Sequence, residues 1–461
     1  MNVRAHHFAL PGIVLLLWLV TLAANAPGQL SFDSVVQLME GRSGNYAGAH
    51  PPLMSALLGA FDHVLPGTAL YLVFASALFY LPLIALLNTA RPRRPWHWLC
   101  AVGLVALLAS PLMLIYQGTV WKDVLFANLS VTCFACLAFS ARQGRSRLSL
   151  LAALAGAVLA AALAAGIRQN GLVVPLTAAI ALVIQIRQTG QRTSTALRRG
   201  LAFLLLAVGV QLGAQHLVQA TAARPIPGSL GWGLPVIHRF DVVGMVAHGA
   251  AVPARDSIPP EDAHRIGEAA ARGYHPSRVE AMDSDAEMRA FLRNLHKPML
   301  MQLWWDMLRA EPLAWLRHRA AVFRWVVLPP DVRLCLPVHL GVEGPPAAVG
   351  ALGLAVGVRP QDQALYRYAA AAFGTPLFLN LTWIAFAAIL LGILLRRRCR
   401  VPGDAAMAAL LGAAIGFAGS FALIGIACDV RYLFLVPTAV CAALAHVSRG
   451  PEPAEMADAP R

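Results

Sequence analysis

The sequence predicts an all-α polytopic membrane protein of about ten transmembrane helices that carries a large, mostly helical outer insertion. Three observations predict it. First, the 461 residues are 58% hydrophobic and only 13% charged, too little charge to solvate a globular surface of that size, so a bilayer is the natural solvent for most of the chain. Second, apolar runs long enough to cross a hydrocarbon core of about 30 Å recur near 8–26, 68–90, 98–116, 121–141, 148–166, 170–187, 200–219, 373–395, 405–427 and 431–447. Third, basic residues gather between alternate pairs of these runs, in Arg91–Pro95, Arg142–Arg147, Arg187–Arg199 and Arg396–Arg400.

With Arg4, Arg449 and Arg461 added, 17 basic residues fall on one side of the membrane, whereas the opposite short loops hold four, Arg42, Lys122, Arg168 and Arg431. By the positive-inside rule both termini are cytoplasmic, and Asp33, His50 and the 220–370 segment face outward. The formal net charge of +14 is accounted for by this partition, so no nucleic-acid partner is implied. The first run ends in Ala24-Asn25-Ala26, which has the small-x-small form of a signal-peptide cleavage site, but the run is long for a leader and its loss would move no other loop across the membrane.

Along the chain, 1–219 reads as an N-terminal transmembrane bundle whose first outer loop is 27–67, 220–370 as an outer domain, 371–448 as the C-terminal transmembrane helices and 449–461 as a disordered cytoplasmic tail. The outer segment holds 14 of the 23 acidic residues and 16 basic ones, the balance of a folded insertion rather than a linker. Asp256–Lys297 has mixed charge and helical spacing after the turn-like Ser257-Ile258-Pro259-Pro260. Pro312 opens PLAWLRHRAAVFRWVVLPP, whose mixture of Trp315, Val322, Trp325 and Val326 with Arg317, Arg319 and Arg324 fits an interfacial helix and fits equally an amphipathic helix packed on the outer domain. The 347–358 run is too short to span and reads as a buried or interfacial piece. Cys133 and Cys136 form a C-x-x-C inside an apolar span, where packing is the simpler reading. Cys335 reads as the lone thiol of the outer segment, with no disulfide framework.

Charges at a bilayer are costly enough to be functional candidates, and here they collect at one face: Asp33 after the first span, Lys122 and Asp123 in TVWKDVLFAN, Arg168 in GIRQNG, Asp429 and Arg431 in CDVRYLF. Carboxylates and cations at headgroup depth suit transfer of a sugar from a polyprenyl phosphate, which needs a base for the acceptor hydroxyl and cations for the departing phosphate. Asp33 is the candidate base, its pKa expected to rise through burial. Arg168 and Lys122 are candidate phosphate ligands, and Asp123, His50, Arg431 and Tyr432 candidate supporting residues. Arg168 is the hardest to explain away, since it interrupts a long apolar hairpin, whereas five of the others have a plainer reading. Asp33 fits a helix N-cap, Asp123 a first-turn acid on the helix dipole, Lys122 a snorkelling side chain, Arg431 a partner for Asp429, and His50 with Pro51 and Pro52 a loop-shaping unit. No cofactor signature is present; a divalent metal on Asp33, His50 and Asp123 is chemically allowed without any spacing that specifies it.

The order FDSVVQLMEG, HPPL, WKDVLFA, the R-x-N-G of Arg168–Gly171, and a late Arg431-Tyr432 leading into a span with Pro437 resembles the C-type glycosyltransferase superfamily, which includes protein O-mannosyltransferases and the aminoarabinose transferase of lipid A. The resemblance covers the order of features along most of the spans and leaves out the outer domain. It implies a first outer loop forming an interfacial layer over the bundle, Asp33 in the place of the catalytic acid, and a polyprenyl-phosphate-linked sugar donor entering from the membrane lipids, its phosphate met by Lys122 and Arg168. It further implies inverting hexosyl or pentosyl transfer to an acceptor at the outer face of the inner membrane. Where many members carry two adjacent acids, here Ser34 follows Asp33, so the likeness stops short of a strict protein mannosyltransferase. The alternatives are a transporter or flippase of a lipid-linked or anionic substrate, which would place polar groups at mid-membrane; a ligase-like enzyme using His264, His275 and Arg278 of the outer segment; and a non-catalytic scaffold. The charge partition makes a direct prediction: alkaline phosphatase fused within 220–370 is active and the same reporter fused after Ser448 is inactive, and the reverse pattern would overturn the orientation.

Overall fold

In a computed structural model the residues described are 6–47, 50–87, 95–142, 146–226, 230–253, 258–295, 297–397, 399 and 401–448. Arg4, Arg91, Arg93, Arg94, Arg145, Asp256, Ser257, Arg398, Arg400 and the tail 449–461 lie outside them. Among the described residues the regular structure is helical, with isolated β-bridges in place of strands. In chain order the helices are α1 (His6–Asn25), α2 (Phe32–Ser43), α3 (Pro52–Val64), α4 (Ala69–Leu87), α5 (Pro95–Ala109), α6 (Pro111–Tyr116), α7 (Lys122–Ser140), α8 (Arg147–Ile167), α9 (Val173–Gln188) and α10 (Thr193–Thr221). The outer segment supplies α11 (Leu230–Ala247), α12 (Pro260–Gly273), α13 (Ala286–Asn294), α14 (Lys297–Ala310), α15 (Pro312–Val327), α16 (Pro346–Leu352) and α17 (Pro360–Ala370), and the chain ends with α18 (Asn380–Arg396), α19 (Asp404–Ile424) and α20 (Leu435–Ser448).

Six helices are long and apolar enough to cross a membrane, α4, α7, α8, α10, α19 and α20 with the turn before it; α1, α5, α9 and α18 supply four shorter apolar stretches. A helix satisfies its own backbone groups, which is what a polypeptide in hydrocarbon requires. Lipid-type side chains such as Leu201, Leu205, Leu206 and Leu217 of α10 remain exposed. At the centre stands α7, which packs most extensively on α8 and also touches α4, α19 and α20. The small residues Ala157, Ala160, Ala161 and Ala164 form the buried face of α8, so the two backbones approach closely. Cys133 and Cys136 sit on α7 as free thiols, the first fully buried. α1 is bound into the bundle by Trp18 Nε1 donating to Ser76 Oγ (2.8 Å) and by the Thr21–Tyr80 hydroxyl pair (3.0 Å).

Three boundaries differ from the sequence expectation. The run 98–116 is two helices, because Ser110 caps and Pro111 opens α6, and proline is favoured at a first helical position and disfavoured in the interior. The 347–358 run forms α16 and an extended piece that pairs with Val342 at Gly357. The run 405–427 stops at Ile424, after which Gly425–Asp429 leaves the bundle. That exit brings Cys428 to Cys335, and the two form a disulfide across a sequence separation of 93. Cys335 is therefore not a lone thiol; its partner lay hidden at the edge of an expected span.

The end of the bundle that carries the outer segment, here the domain end, is closed by the α2–α3 hairpin. Its helices cross at Gly41 and Gly59, where a Cβ on Gly59 would stand 2.3 Å from Gly41 O. Arg42 holds Asp62 with two bonds of 2.7 Å, and Ser55 Oγ donates to Glu40 at 2.7 Å. The loop before α2 is threaded between two other segments. Gln29 N–H donates to Gly118 O (3.0 Å) and Val120 N–H to Gln29 O (2.9 Å), while Leu30 N–H donates to Gly341 O and Glu343 N–H to Leu30 O (both 2.9 Å). Gln29 also donates through Nε2 to Asp362 (2.9 Å) and accepts from Gly341 N–H (2.7 Å), so its buried amide is satisfied on both ends.

In the outer segment α11, α14 and α15 pack around Asp241, which lies 2.6 Å from Arg319 Nη2 and accepts from Trp304 Nε1 (2.7 Å) and Trp315 Nε1 (3.1 Å). Arg319 also donates to Gly425 O at 2.8 Å, fastening α15 to the end of α19. One face of α15 packs on its neighbours, with His318, Arg319, Val322 and Val326 buried, while Leu313 and Leu316 on the same helix stay exposed. Gly59→Ala should destabilise the protein by about 1–3 kcal/mol through overpacking at the hairpin crossing, read as a lowered thermal midpoint in detergent; an unchanged midpoint would contradict the close crossing.

Candidate active site

Five pieces of chain bring their charged side chains together at the domain end. Asp33 sits in the first turn of α2, but it is not the cap: Ser31 occupies the N-cap position and Ser34 Oγ accepts from Ser31 N–H (3.2 Å) while donating to Val120 O (2.6 Å). Asp33 is thereby released to side-chain partners. Its Oδ2 accepts from Arg431 Nη2 at 2.9 Å, its Oδ1 lies 3.9 Å from His50 Nε2, and its side chain is 33% exposed.

His50 immediately precedes the two prolines that open α3, where Pro51 caps and Pro52 takes the first turn. Lys122, first residue of α7, donates to His50 Nδ1 at 2.7 Å. When Lys122 is an ammonium, which has only donors, Nδ1 is the acceptor and the imidazole proton resides on Nε2, toward Asp33. Burial, then the Lys122 charge, pushes His50 down to about 4, and the ring is neutral at pH 7. Among the described residues Lys122 forms no salt bridge; its hydrogen-bond partner is this neutral imidazole.

Arg168 and Asp123 are paired with each other. The turn after α8 holds Arg168 in an extended conformation, and Gly171 closes that turn so tightly that a Cβ would come within 2.5 Å of Ala164 O. The guanidinium is enclosed by the rings of Phe417 (5.1 Å), Phe126, Phe421 and Tyr432 (each 5.9 Å). Arg431 bridges two carboxylates, donating through Nε to Asp429 Oδ2 (3.2 Å) and through Nη2 to Asp33, with its plane 5.0 Å over Trp121. Tyr432 stacks on Phe421 and lies between the two guanidiniums.

The seven candidate residues thus divide. Asp33, His50, Lys122 and Arg431 form one connected chain of contacts; Asp123 and Arg168 form a buried pair beside it; Tyr432 links the two. Of the three outer-segment candidates, Arg278 joins the site, 3.6 Å from Asp429 Oδ1, while His264 pairs with Glu268 on the surface of α12 and His275 contacts Ser277 and Trp325. Trp121 was not anticipated as a site residue. It is fully buried, donates from Nε1 to Ser31 Oγ (2.9 Å) and forms the floor under Arg431; its only sequence signal is an aromatic directly before a cation and an acid. Asp33 and His50 are the two potential metal donors that meet, Asp123 being committed to Arg168. Among the described residues no group of three or more His, Cys, Asp or Glu side chains gathers.

The electrostatics correct one expectation. Burial does push Asp33 upward, but Arg431, His50 and Lys122 together outweigh it and hold the carboxyl below its ordinary value. Isolated from its neighbours the residue would be a stronger base; in this setting it is firmly ionised.

The sequence matches no protein-family model and no curated protein. Among solved structures, the chain aligns over 95% of its length with 76% of the crystal structure of ArnT from Cupriavidus metallidurans in the apo state, at 14% identity and a TM-score of 0.35.

Because Asp33 titrates lower in the folded than in the unfolded chain, it adds stability above its unfolded pKa that is lost as pH falls through its folded pKa. The difference in thermal midpoint between wild type and Asp33→Asn, followed against pH, should vanish at a higher pH in an Arg431→Met background. An identical profile in both backgrounds would remove Arg431 as the controlling charge.

Proposed function

We propose that the protein is an inner-membrane glycosyltransferase that moves a monosaccharide from a polyprenyl-phosphate donor to an acceptor hydroxyl at the outer face. The observation that carries this reading is that Asp33 and Lys122 face the two nitrogens of one imidazole, His50, a carboxylate on one side and an amine with no acidic contact on the other. A site with a base and a cation that has no carboxylate in direct contact, at one end of an apolar bundle, has the elements that transfer from a lipid phosphate requires. Two further features support the outward orientation: the alternating basic loops, and a disulfide at the domain end while the five other cysteines are free, since disulfides persist in oxidising compartments.

In the reaction the acceptor oxygen attacks the anomeric carbon, the bond from that carbon to the phosphate oxygen breaks, and the hydroxyl proton passes to Asp33. The leaving polyprenyl phosphate keeps the electron pair, and Lys122 and Arg431 stabilise its charge. One displacement inverts the anomeric configuration. The low proton affinity of Asp33 in the free protein suits this cycle. A phosphate seated on Lys122 and Arg431 adds negative charge and draws the guanidinium field away from Asp33, so the carboxylate becomes more basic when donor is bound. The neutral His50 donates toward Asp33 and orients it. Arg168, already neutralised by Asp123, acts by holding Tyr432 and the 429–432 turn rather than as a direct phosphate ligand.

A transport reading draws less support. The buried polar groups inside the bundle bond to one another, as in the Gln117–Asn128 pair (2.8 and 2.9 Å), whereas the cluster of mixed charge lies at the domain end.

The purified protein in lipid should release free polyprenyl phosphate from a labelled polyprenyl-phosphate sugar when supplied with envelope acceptors. Asp33→Asn should lower that release by about 10²–10⁴-fold with donor binding retained, and Lys122→Met should weaken donor binding. A fully active Asp33→Asn would move the base elsewhere, and failure of the wild type to bind any such lipid would end the transferase reading.

A further inference from the structure

The turn that presents Arg431 is not held by the bundle alone. After α19 the chain runs antiparallel to Ser277–Val279: Val279 N–H donates to Ile426 O at 2.7 Å, Cys428 N–H donates to Ser277 O at 2.8 Å, and Arg278 faces Ala427 as a bridge pair. Cys428 is then tied covalently to Cys335, the last residue of the short 3-10 turn Val332–Cys335. Arg278 closes the triangle. Its Nη2 donates to Leu334 O at 2.6 Å and lies 3.6 Å from Asp429 Oδ1, while the other oxygen of Asp429 accepts from Arg431 Nε. From the disulfide to the carboxylate of Asp33 the path is one peptide to Asp429, one ion pair to Arg431 and one more to Asp33.

An arginine side chain has many rotamers to lose, and a two-residue β-ladder on its own is marginal. Something else has to fix the turn. We propose that the Cys335–Cys428 disulfide and Arg278 are positioning groups for Arg431, through which the outer domain sets the geometry of the first-loop carboxylate. The disulfide pins Cys428 against a segment 93 residues away in sequence, and Arg278 orients Asp429 so that one oxygen is left for Arg431. Neither group touches the reacting atoms. It follows that the site is complete only where the disulfide is oxidised. The consequence for turnover rests on the transferase reading; the coupling itself is a property of the fold.

The test uses the full-length protein in lipid nanodiscs, comparing wild type with a Cys335→Ser/Cys428→Ser double variant, with Arg278→Gln, which keeps the disulfide, and with Arg278→Lys. Amide hydrogen exchange is followed in peptides covering 426–434 and the first turn of α2, and kcat and KM are measured for polyprenyl phosphate release. Both regions should exchange faster in the double variant and, less so, in Arg278→Gln. kcat should fall by about tenfold to a hundredfold, the scale of a misplaced catalytic constellation, with KM for donor little changed. Arg278→Lys should recover part of the loss by restoring charge beside Asp429. If the double variant does not fold, Arg278→Gln decides alone. Unchanged exchange at α2 in both variants, or a lowered melting temperature with kcat intact, would overturn the coupling. If wild type turns over no polyprenyl-phosphate sugar, the transferase reading falls and the exchange result still decides the positioning role.

Discussion

One guanidinium organises the domain end of this protein. Arg431 joins Asp33 from the start of the chain to Asp429 at its own turn, across a sequence separation of 398, and its guanidinium carbon sits 5.0 Å from the centre of the Trp121 ring. Breaking such an arrangement by removing one partner leaves a partly desolvated charge without compensation, which costs far more than a surface ion pair is worth. The first loop, the start of α7 and the exit from α19 therefore have to assume their places together. The ladder contacts of Gln29 and Leu30 with 118–120 and 341–343 serve that requirement, as does the bond from Ser34 to Val120 O.

Charge bookkeeping around Arg431 accounts for the chemistry available. Asp123 cancels Arg168, and Asp33 and Asp429 together surround Arg431. The remaining carboxylate charge is balanced by Lys122, which touches no carboxylate directly but leans on a histidine that its own charge and burial keep neutral. A phosphate group at headgroup depth would give Lys122 a direct anionic partner. On the proposed function, the same anion would loosen the hold of the cations on Asp33 and so tie donor binding to its basicity through a shared field rather than through a moving part.

The apolar helices were legible in the sequence because hydrocarbon demands long apolar runs, and six of the ten expected runs form helices long and apolar enough to cross a membrane. Their interruptions were less so. Ser110-Pro111 breaks a run whose hydropathy never falters, and the early end of α19 depends on Gly425 and on the bond from Arg319, a residue of another domain. Asp33, His50, Lys122, Asp123, Arg168, Arg431 and Tyr432 could all be picked out as polar residues at one face. Their pairing could not, since it is set by tertiary contacts between residues dozens to hundreds apart. The direction of the Asp33 pKa failed for that reason: burial is guessable from an apolar flank, three neighbouring cations and dipoles are not. Arg278 stood out only under the ligase-like alternative, and Cys428 lay just past the 405–427 run with no partner in view, until the antiparallel contact of 277–279 with 426–428 put both beside Asp429.

The most direct test of the account is a structure of the protein in a lipid nanodisc with polyprenyl phosphate bound. The account predicts the phosphate within hydrogen-bond distance of Lys122 Nζ, on the same side of Trp121 as Arg431 and within reach of a sugar that faces Asp33. A phosphate resting elsewhere on the bundle, with Lys122 still bonded only to His50, would contradict it.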